Sequence, residues 1–212
     1  MYSKNRNPFD GASGCREGQM AKYLITGAAG FIGSSLARAL VAQGHKVRGL
    51  DNLSGGSLEN IEDLRLSMEF QVADIRDEDA MRTACRDMDF VLHHAAIASV
   101  PRSVDDPLTT HEVNLTGTIN ILLAARESGI RRVVFAASSS AYGDSDEGAK
   151  RECMVPQPLS PYAVQKLACE HYIQSFCHMY GMEGVCLRYF NIFGPHQFPV
   201  HPVLPTCSGG EN

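Results

Sequence analysis

YLITGAAGFIG, residues 23–33, runs from an apolar strand through a glycine loop into an apolar helix expected over 34–43; Gly44 stops that helix before a second strand, 46–50, which ends at Asp51. Each glycine has its own task. Gly27 permits a tight turn out of the strand, Gly30 lets the backbone approach a pyrophosphate, and Gly33 lets helix and sheet pack closely. Phosphates then meet the free N–H groups at the positive end of the helix. Asp51 follows Gly27 by 24 residues. A carboxylate there accepts from both hydroxyls of an adenosine ribose and repels a 2′-phosphate, so the pattern predicts NAD over NADP. The spacing is GxxGxxG, and the strand, helix and acid supply the context that three loop glycines alone lack.

The rest of the chain bounds the answer. Its 212 residues, 44% of them hydrophobic, are enough for one substantial core, and one domain is the default. The net charge of −5 leaves no basic footprint for nucleic acid, and Arg131-Arg132 reads as a solvated helix-to-strand turn. No apolar run approaches a membrane span. Residues 1–19 are polar with no apolar signal-peptide region, and read as a disordered leader with Met20 as an alternative start. Seven cysteines, odd in number and without a C-x-x-C pair, point to reduced thiols in a cytoplasm. No metal site is expected, because neither His93-His94 nor Cys177-His178 offers four ligands.

Further apolar strands are expected over 68–72, 90–93, 132–137 and 185–188, and helices over 58–64, 78–85, 107–128 and 161–180. Ser160 caps the last of these, Pro161 suits its first position, and Gly181 stops it. The segment after His94, with Ser99-Val100-Pro101-Arg102-Ser103, reads as a loop. Strands alternating with helices require crossover connections, so the predicted fold is α/β, a doubly wound parallel Rossmann sheet of order 3-2-1-4-5-6. It should occupy residues 20–194, followed by an irregular proline-bearing tail, 195–212. Asp51, Asp74, His94, Ser138 and Asn191 all fall just after predicted strands, at the edge where ligands collect.

Tyr162 and Lys166 stand at i and i+4 in the first turns of the capped helix and so share one face. A lysine cation about 4 Å from a phenol is worth about 4 kcal/mol at an effective dielectric near 20, which corresponds to a fall of about three pKa units. The pair is therefore a candidate general acid–base, and Ser138, after the neighbouring strand, can hold the substrate oxygen.

TGAAGFIGSSL (26–36), DNLSGGS (51–57), HHAAIASVPRSVDDP (93–107), ASSSAYGD (137–144), LSPYAVQK (159–166) and LRYFNIFGP (187–195) resemble the motifs of the extended short-chain dehydrogenase/reductases. Within them the likeness is to the NAD-dependent epimerase/dehydratase family, and most to its UDP-N-acetylglucosamine and UDP-hexose 4-epimerases, with SVPRS pointing to the N-acetylhexosamine branch. The resemblance implies that Tyr162 is the base, Lys166 its partner and a ribose ligand, and Ser138 the assisting hydroxyl. It implies NAD contacts at Gly27, Gly30, Phe31, Ile32, Gly33, Asp51, Asn52, Asp74, Ile75, Ala95, Ala96, Tyr162 and Lys166. Sugar contacts fall on Ser99, Arg102, Ser139, Ser140 and Asn191, with Asn114 as a supporting helix asparagine.

The implied reaction is oxidation of a UDP-sugar at C4 and hydride return to the opposite face. Related 4,6-dehydratases and sugar-acid decarboxylases, the further alternative, carry an acid one or two places after the catalytic hydroxyl residue, where this chain has Ser139 and Ser140. The resemblance also implies a homodimer contact through helices 107–128 and 161–180, and a smaller C-terminal substrate domain of which this chain would hold only a remnant. That leaves two expectations: a 4-epimerase domain weak or inactive alone, or a non-catalytic NAD-binding module.

Overall fold

Alternation along strand β1 (Lys22–Thr26) divides the interior, with Leu24 facing one apolar cluster and Ile25 the other. The computed structural model describes residues 20–144, 149–194 and 197. In it β1 is joined by β2 (Lys46–Asp51), β3 (Glu69–Val72), β4 (Phe90–His93), β5 (Arg132–Ser138) and β6 (Glu183–Tyr189). All pairs are parallel, in the order 3-2-1-4-5-6 that the sequence pattern predicts. The expected leader and nearly all of the expected tail lie outside the described residues.

The helices begin where the sequence supplies a cap. Asp77 accepts from the N–H groups of Asp79 and Ala80 to start α2 (Glu78–Cys85). Ser160 accepts from Ala163 N at 3.1 Å to start α6 (Pro161–Tyr180), which Gly181 ends in the left-handed conformation. Helix α1 (Phe31–Ala42) starts three residues earlier than expected, because Gly30, in extended conformation, serves as its N-cap without a side chain. The expected 107–128 helix is present as α4 (Pro107–His111), a π-helical turn (Glu112–Thr116) and α5 (Gly117–Glu127). Ahead of them lies α3 (Val100–Asp105), which corrects the loop expected there: Ser99 caps it and Pro101 sits in its first turn.

Helices α2, α5 and α6 cover one sheet face, burying Met81, Ile121, Leu122 and Ile173 with Val91, Val133 and Phe135. Each such side chain contributes about 1.5–3 kcal/mol by leaving water. On the other face α1 and the 3₁₀ segment Leu58–Leu64 cover β1 and β2. At the β6 edge Val185 and Leu187 alternate with Cys186 and Arg188 and remain 38% and 39% exposed. Among the described residues no helix is long and apolar enough to cross a membrane, no group of three His, Cys, Asp or Glu side chains gathers to hold a metal, and Cys85, Cys153, Cys169, Cys177 and Cys186 are free thiols.

Candidate functional site

The glycine loop is fixed by contacts that no side chain could share. Gly27 has φ +72°, and a Cβ there would lie 2.8 Å from Ala95 N. A Cβ on Gly33 would lie 2.1 Å from the Gly27 carbonyl oxygen, so helix α1 can sit this close to the turn only with glycine. Gly30 is looser, with 3.3 Å to the same oxygen. The N–H groups of Gly27 and Ala28 both donate to Leu50 O, and Asn60 Nδ2 donates to Ala29 O at 2.8 Å. At the mouth of this loop α1 presents its N-terminus with no side-chain cap, and Phe31 and Ile32 form its first turn. That cradle fits a pyrophosphate.

Asp51 is 7% exposed, and its carboxylate already braces the loop: one oxygen accepts from Ala29 N at 3.0 Å, the other from Leu53 N at 2.8 Å. A carboxylate oxygen has a second lone pair, so two ribose hydroxyls can still be accepted. Asn52 donates to Asp74 at 2.8 Å. Asp74 also accepts from the backbone and guanidinium of Arg76, which holds its carboxyl well below the usual range against the opposing effect of burial. The Ile75 side chain belongs to the core and abuts Gly117, so only its main chain is left for a ligand.

Across the switch in strand order, Ala95 and Ala96 leave the end of β4, and Thr26 Oγ1 accepts from the N–H groups of His94 and Ala95. Ser138 is the last residue of β5, and its hydroxyl oxygen accepts from Ser140 N at 3.2 Å and from the Ser140 hydroxyl at 2.8 Å. Ser139 and Ser140 open the 3₁₀ turn Ser139–Tyr142. From α6, Lys166 reaches under the sheet edge, donates to Ala136 O at 2.8 Å, and lies 4.6 Å from the Phe135 ring centre and 5.9 Å from that of Tyr162. The structure thus brings Ser138, Tyr162 and Lys166 to one place beside the ends of β4 and β5.

The electrostatics correct one expectation. Burial pushes the Lys166 ammonium down to about 8, and it pushes the Tyr162 phenol up rather than down, with hydrogen bonding to Ser138 pulling it partly back. The Lys166 cation, bonded to the Ala136 carbonyl and 5.9 Å from the Tyr162 ring centre, does not outweigh desolvation.

The expected sugar contacts are less convergent. Ser99 uses its hydroxyl to cap α3, accepting from Arg102 N at 3.2 Å, while Arg102 and Asn191 are exposed. Asn114 does more than bond within its helix: it accepts from Ile97 N, donates to Ile97 O, and donates to Gln165 on α6 at 2.9 Å.

Three features had no place in the sequence reading. Ser103 is fully buried, accepts from Tyr162 N at 3.0 Å and donates to Val100 O, tying α3 to the start of α6; the Ser99 cap and Pro101 were the available signal. Arg188 on β6 pairs bidentately with Glu170 on α6, and its guanidinium lies 4.7 Å from the Tyr142 ring centre. A groove of about 920 Å³ opens beside this pair, lined also by Gln174, Cys177 and Cys186, and it contains none of the predicted site residues.

Fold and site together define a Rossmann-type α/β domain carrying a serine, tyrosine and lysine at its carboxyl edge. Residues 23–207 match the model of the NAD dependent epimerase/dehydratase family, and the chain belongs to that family. It is 42% identical over 182 residues to a UDP-glucose 4-epimerase of Mycolicibacterium smegmatis, covering 84% of this chain and 58% of the relative. Among solved structures it resembles a UDP-N-acetylglucosamine 4-epimerase of Methanobrevibacter ruminantium in complex with UDP-N-acetylmuramic acid (37% identity, TM-score 0.83, 88% of this chain and 60% of that one). It also resembles the Thermus thermophilus UDP-glucose 4-epimerase complex with NAD (42% identity, TM-score 0.80, 84% and 58%). The chain thus spans somewhat under two thirds of the length of these relatives.

Proposed function

We propose that this chain is the NAD-binding portion of a 4-epimerase acting on a UDP-hexose or UDP-N-acetylhexosamine. The observation that carries the reading is the convergence of Ser138, Tyr162 and Lys166 at the carboxyl edge of the same sheet that carries the Gly27 loop, with no carboxylate at 139 or 140 of the kind a dehydratase would use. NAD would supply the hydride acceptor and donor and a positive charge beside the phenol. Gly27, Gly30, Phe31, Ile32 and Gly33 hold the pyrophosphate, Asp51 and Asn52 the ribose, and Asp74 and Ile75 the adenine, while Ala95 and Ala96 wall the cofactor. Tyr162 takes the proton of the sugar C4 hydroxyl and gives it back, Ser138 hydrogen-bonds the same oxygen, and Lys166 holds its charge close to both. Ser99, Arg102, Ser139, Ser140 and Asn191 contact the sugar.

Leu108, Val164 and Tyr172, exposed on α4 and α6, support a homodimer through these helices, and the free thiols support a cytoplasmic setting. The test is equilibrium NAD binding together with interconversion of UDP-N-acetylglucosamine and UDP-N-acetylgalactosamine, and of UDP-glucose and UDP-galactose. Tyr162→Phe should abolish conversion and leave NAD affinity within a few-fold; persisting activity removes Tyr162 as the base. NAD binding with no conversion of either pair supports a binding module instead.

A further inference from the structure

His93 is 1% exposed at the end of β4, and every hydrogen around it is assigned by its neighbours. Thr118 gives its O–H to the Asn114 carbonyl and can only accept from His93 Nε2, which leaves Nδ1 to accept from the Thr26 O–H, 2.7 Å away; Thr26 Oγ1 itself accepts from Ala95 N (3.3 Å) and shares the His94 N–H (3.2 Å) with the Thr26 carbonyl (3.1 Å). The neutral ring then carries its proton on Nε2 and donates to Thr118 Oγ1 at 2.9 Å. Thr118 in turn donates at 2.6 Å to the main-chain carbonyl of Asn114, in the π-helical turn, which also accepts from the Cys169 thiol of α6 at 3.2 Å. Asn114 continues the connection through its amide to Gln165, the neighbour of Lys166.

We propose that His93 is a positioning residue for the cofactor. Its one-directional chain of hydrogen bonds, Thr26 to His93 to Thr118 to Asn114, registers the Gly27 loop and the Ala95 turn against the helix that carries Tyr162 and Lys166. The geometry explains why an imidazole is needed here: the ring spans two hydroxyls on different elements, accepting from one and donating to the other. Around it stand Lys166 and His94, and the Phe135 ring lies 5.6 Å away centre to centre. The inference rests on the reading that the Gly27 loop takes a dinucleotide.

Two experiments on the full chain test it. Long-range ¹H–¹⁵N spectra of the imidazoles should show His93 with its proton on Nε2; a proton on Nδ1 would overturn the chain. Thr118→Val keeps the shape of the side chain on α5 but deletes the acceptor for Nε2, and should weaken NAD binding about ten-fold, the equivalent of one buried hydrogen bond left unmade. Restoring a hydroxyl with Thr118→Ser should bring most of that affinity back. If Thr118→Val lowers the melting temperature yet leaves NAD affinity unchanged, the chain is structural only and the inference fails alone. If the unmodified protein binds no NAD, the proposed function falls with it.

Discussion

Lowering the pH from 7.5 to 5 should destabilise this domain by about 4 kcal/mol through two histidines. Burial holds His93 down to about 3 and His94 down to about 4, with the Lys166 cation adding to both. Their ordinary value is 6.5. Between that value and the folded ones the unfolded chain binds two protons that the native state refuses. The stability they contribute is therefore whole above pH 6.5 and is lost as the pH falls toward 4 for His94 and 3 for His93. At pH 5 each ring is about 1.5 units below its unfolded pKa, which amounts to about 2 kcal/mol per ring at 1.36 kcal/mol per unit. That is a large part of the 5–15 kcal/mol typical of a domain. Urea unfolding followed by circular dichroism at constant salt should show the midpoint about 2 M lower at pH 5, taking a slope of about 2 kcal/mol per molar. His94→Phe, which keeps an aromatic ring against Tyr189, should roughly halve the shift. An unchanged wild-type midpoint would mean that the rings are protonated in the native state, and the hydrogen-bond directions around His93 would be wrong.

Gly33→Ala should abolish NAD binding, because its methyl would fall 2.1 Å from a backbone oxygen that cannot yield, whereas Gly44→Ala, with nothing within 4 Å of its Cβ, should cost about 1 kcal/mol of backbone strain and leave binding alone; calorimetric titration separates the two. Arg188→Ala should cost about 3–5 kcal/mol by stranding the buried Glu170 carboxylate, and adding Glu170→Gln should recover part of the melting temperature. Asp51→Ala should lower the NAD-to-NADP affinity ratio, and through the lost bonds to Ala29 N and Leu53 N should also cost about 1–3 kcal/mol of stability; a ratio that stays the same would remove Asp51 from the ribose.

The sheet was legible because each strand announces itself by an apolar run and each crossover by a cap or a glycine stop. Parallel pairing then leaves few topologies. Ser160 with Pro161 located α6 to the residue, and Gly27 and Gly33 located the loop, because in each case one backbone geometry admits few side chains. Helix α3 was hidden by its length: six residues show no helical period, and only its cap and proline betray it. The Glu170–Arg188 pair and the His93 chain were hidden for a different reason. They join residues 18 and 25 or more positions apart across elements, and a charge or an imidazole in the sequence does not say whether its partner is water or another side chain.

The phenol is where reasoning from spacing met its limit. Placing Tyr162 and Lys166 four residues apart fixes the face they share but not the distance between phenol and ammonium, nor the dielectric around them. A Coulomb gain of about 4 kcal/mol assumes direct approach at about 4 Å. Instead the ammonium is committed to the Ala136 carbonyl, and both groups lie deep enough for desolvation to act against each charged form: downward for the lysine, upward for the tyrosine. The consequence for catalysis is directional. On the protein's own side chains Tyr162 is a proton holder at neutral pH, and whatever turns it into a proton acceptor must bring positive charge or a strong hydrogen-bond donor to the same crevice. If a free-enzyme titration found the Tyr162 phenol ionising near 7 without any ligand, the Lys166 charge and not burial would dominate the phenol.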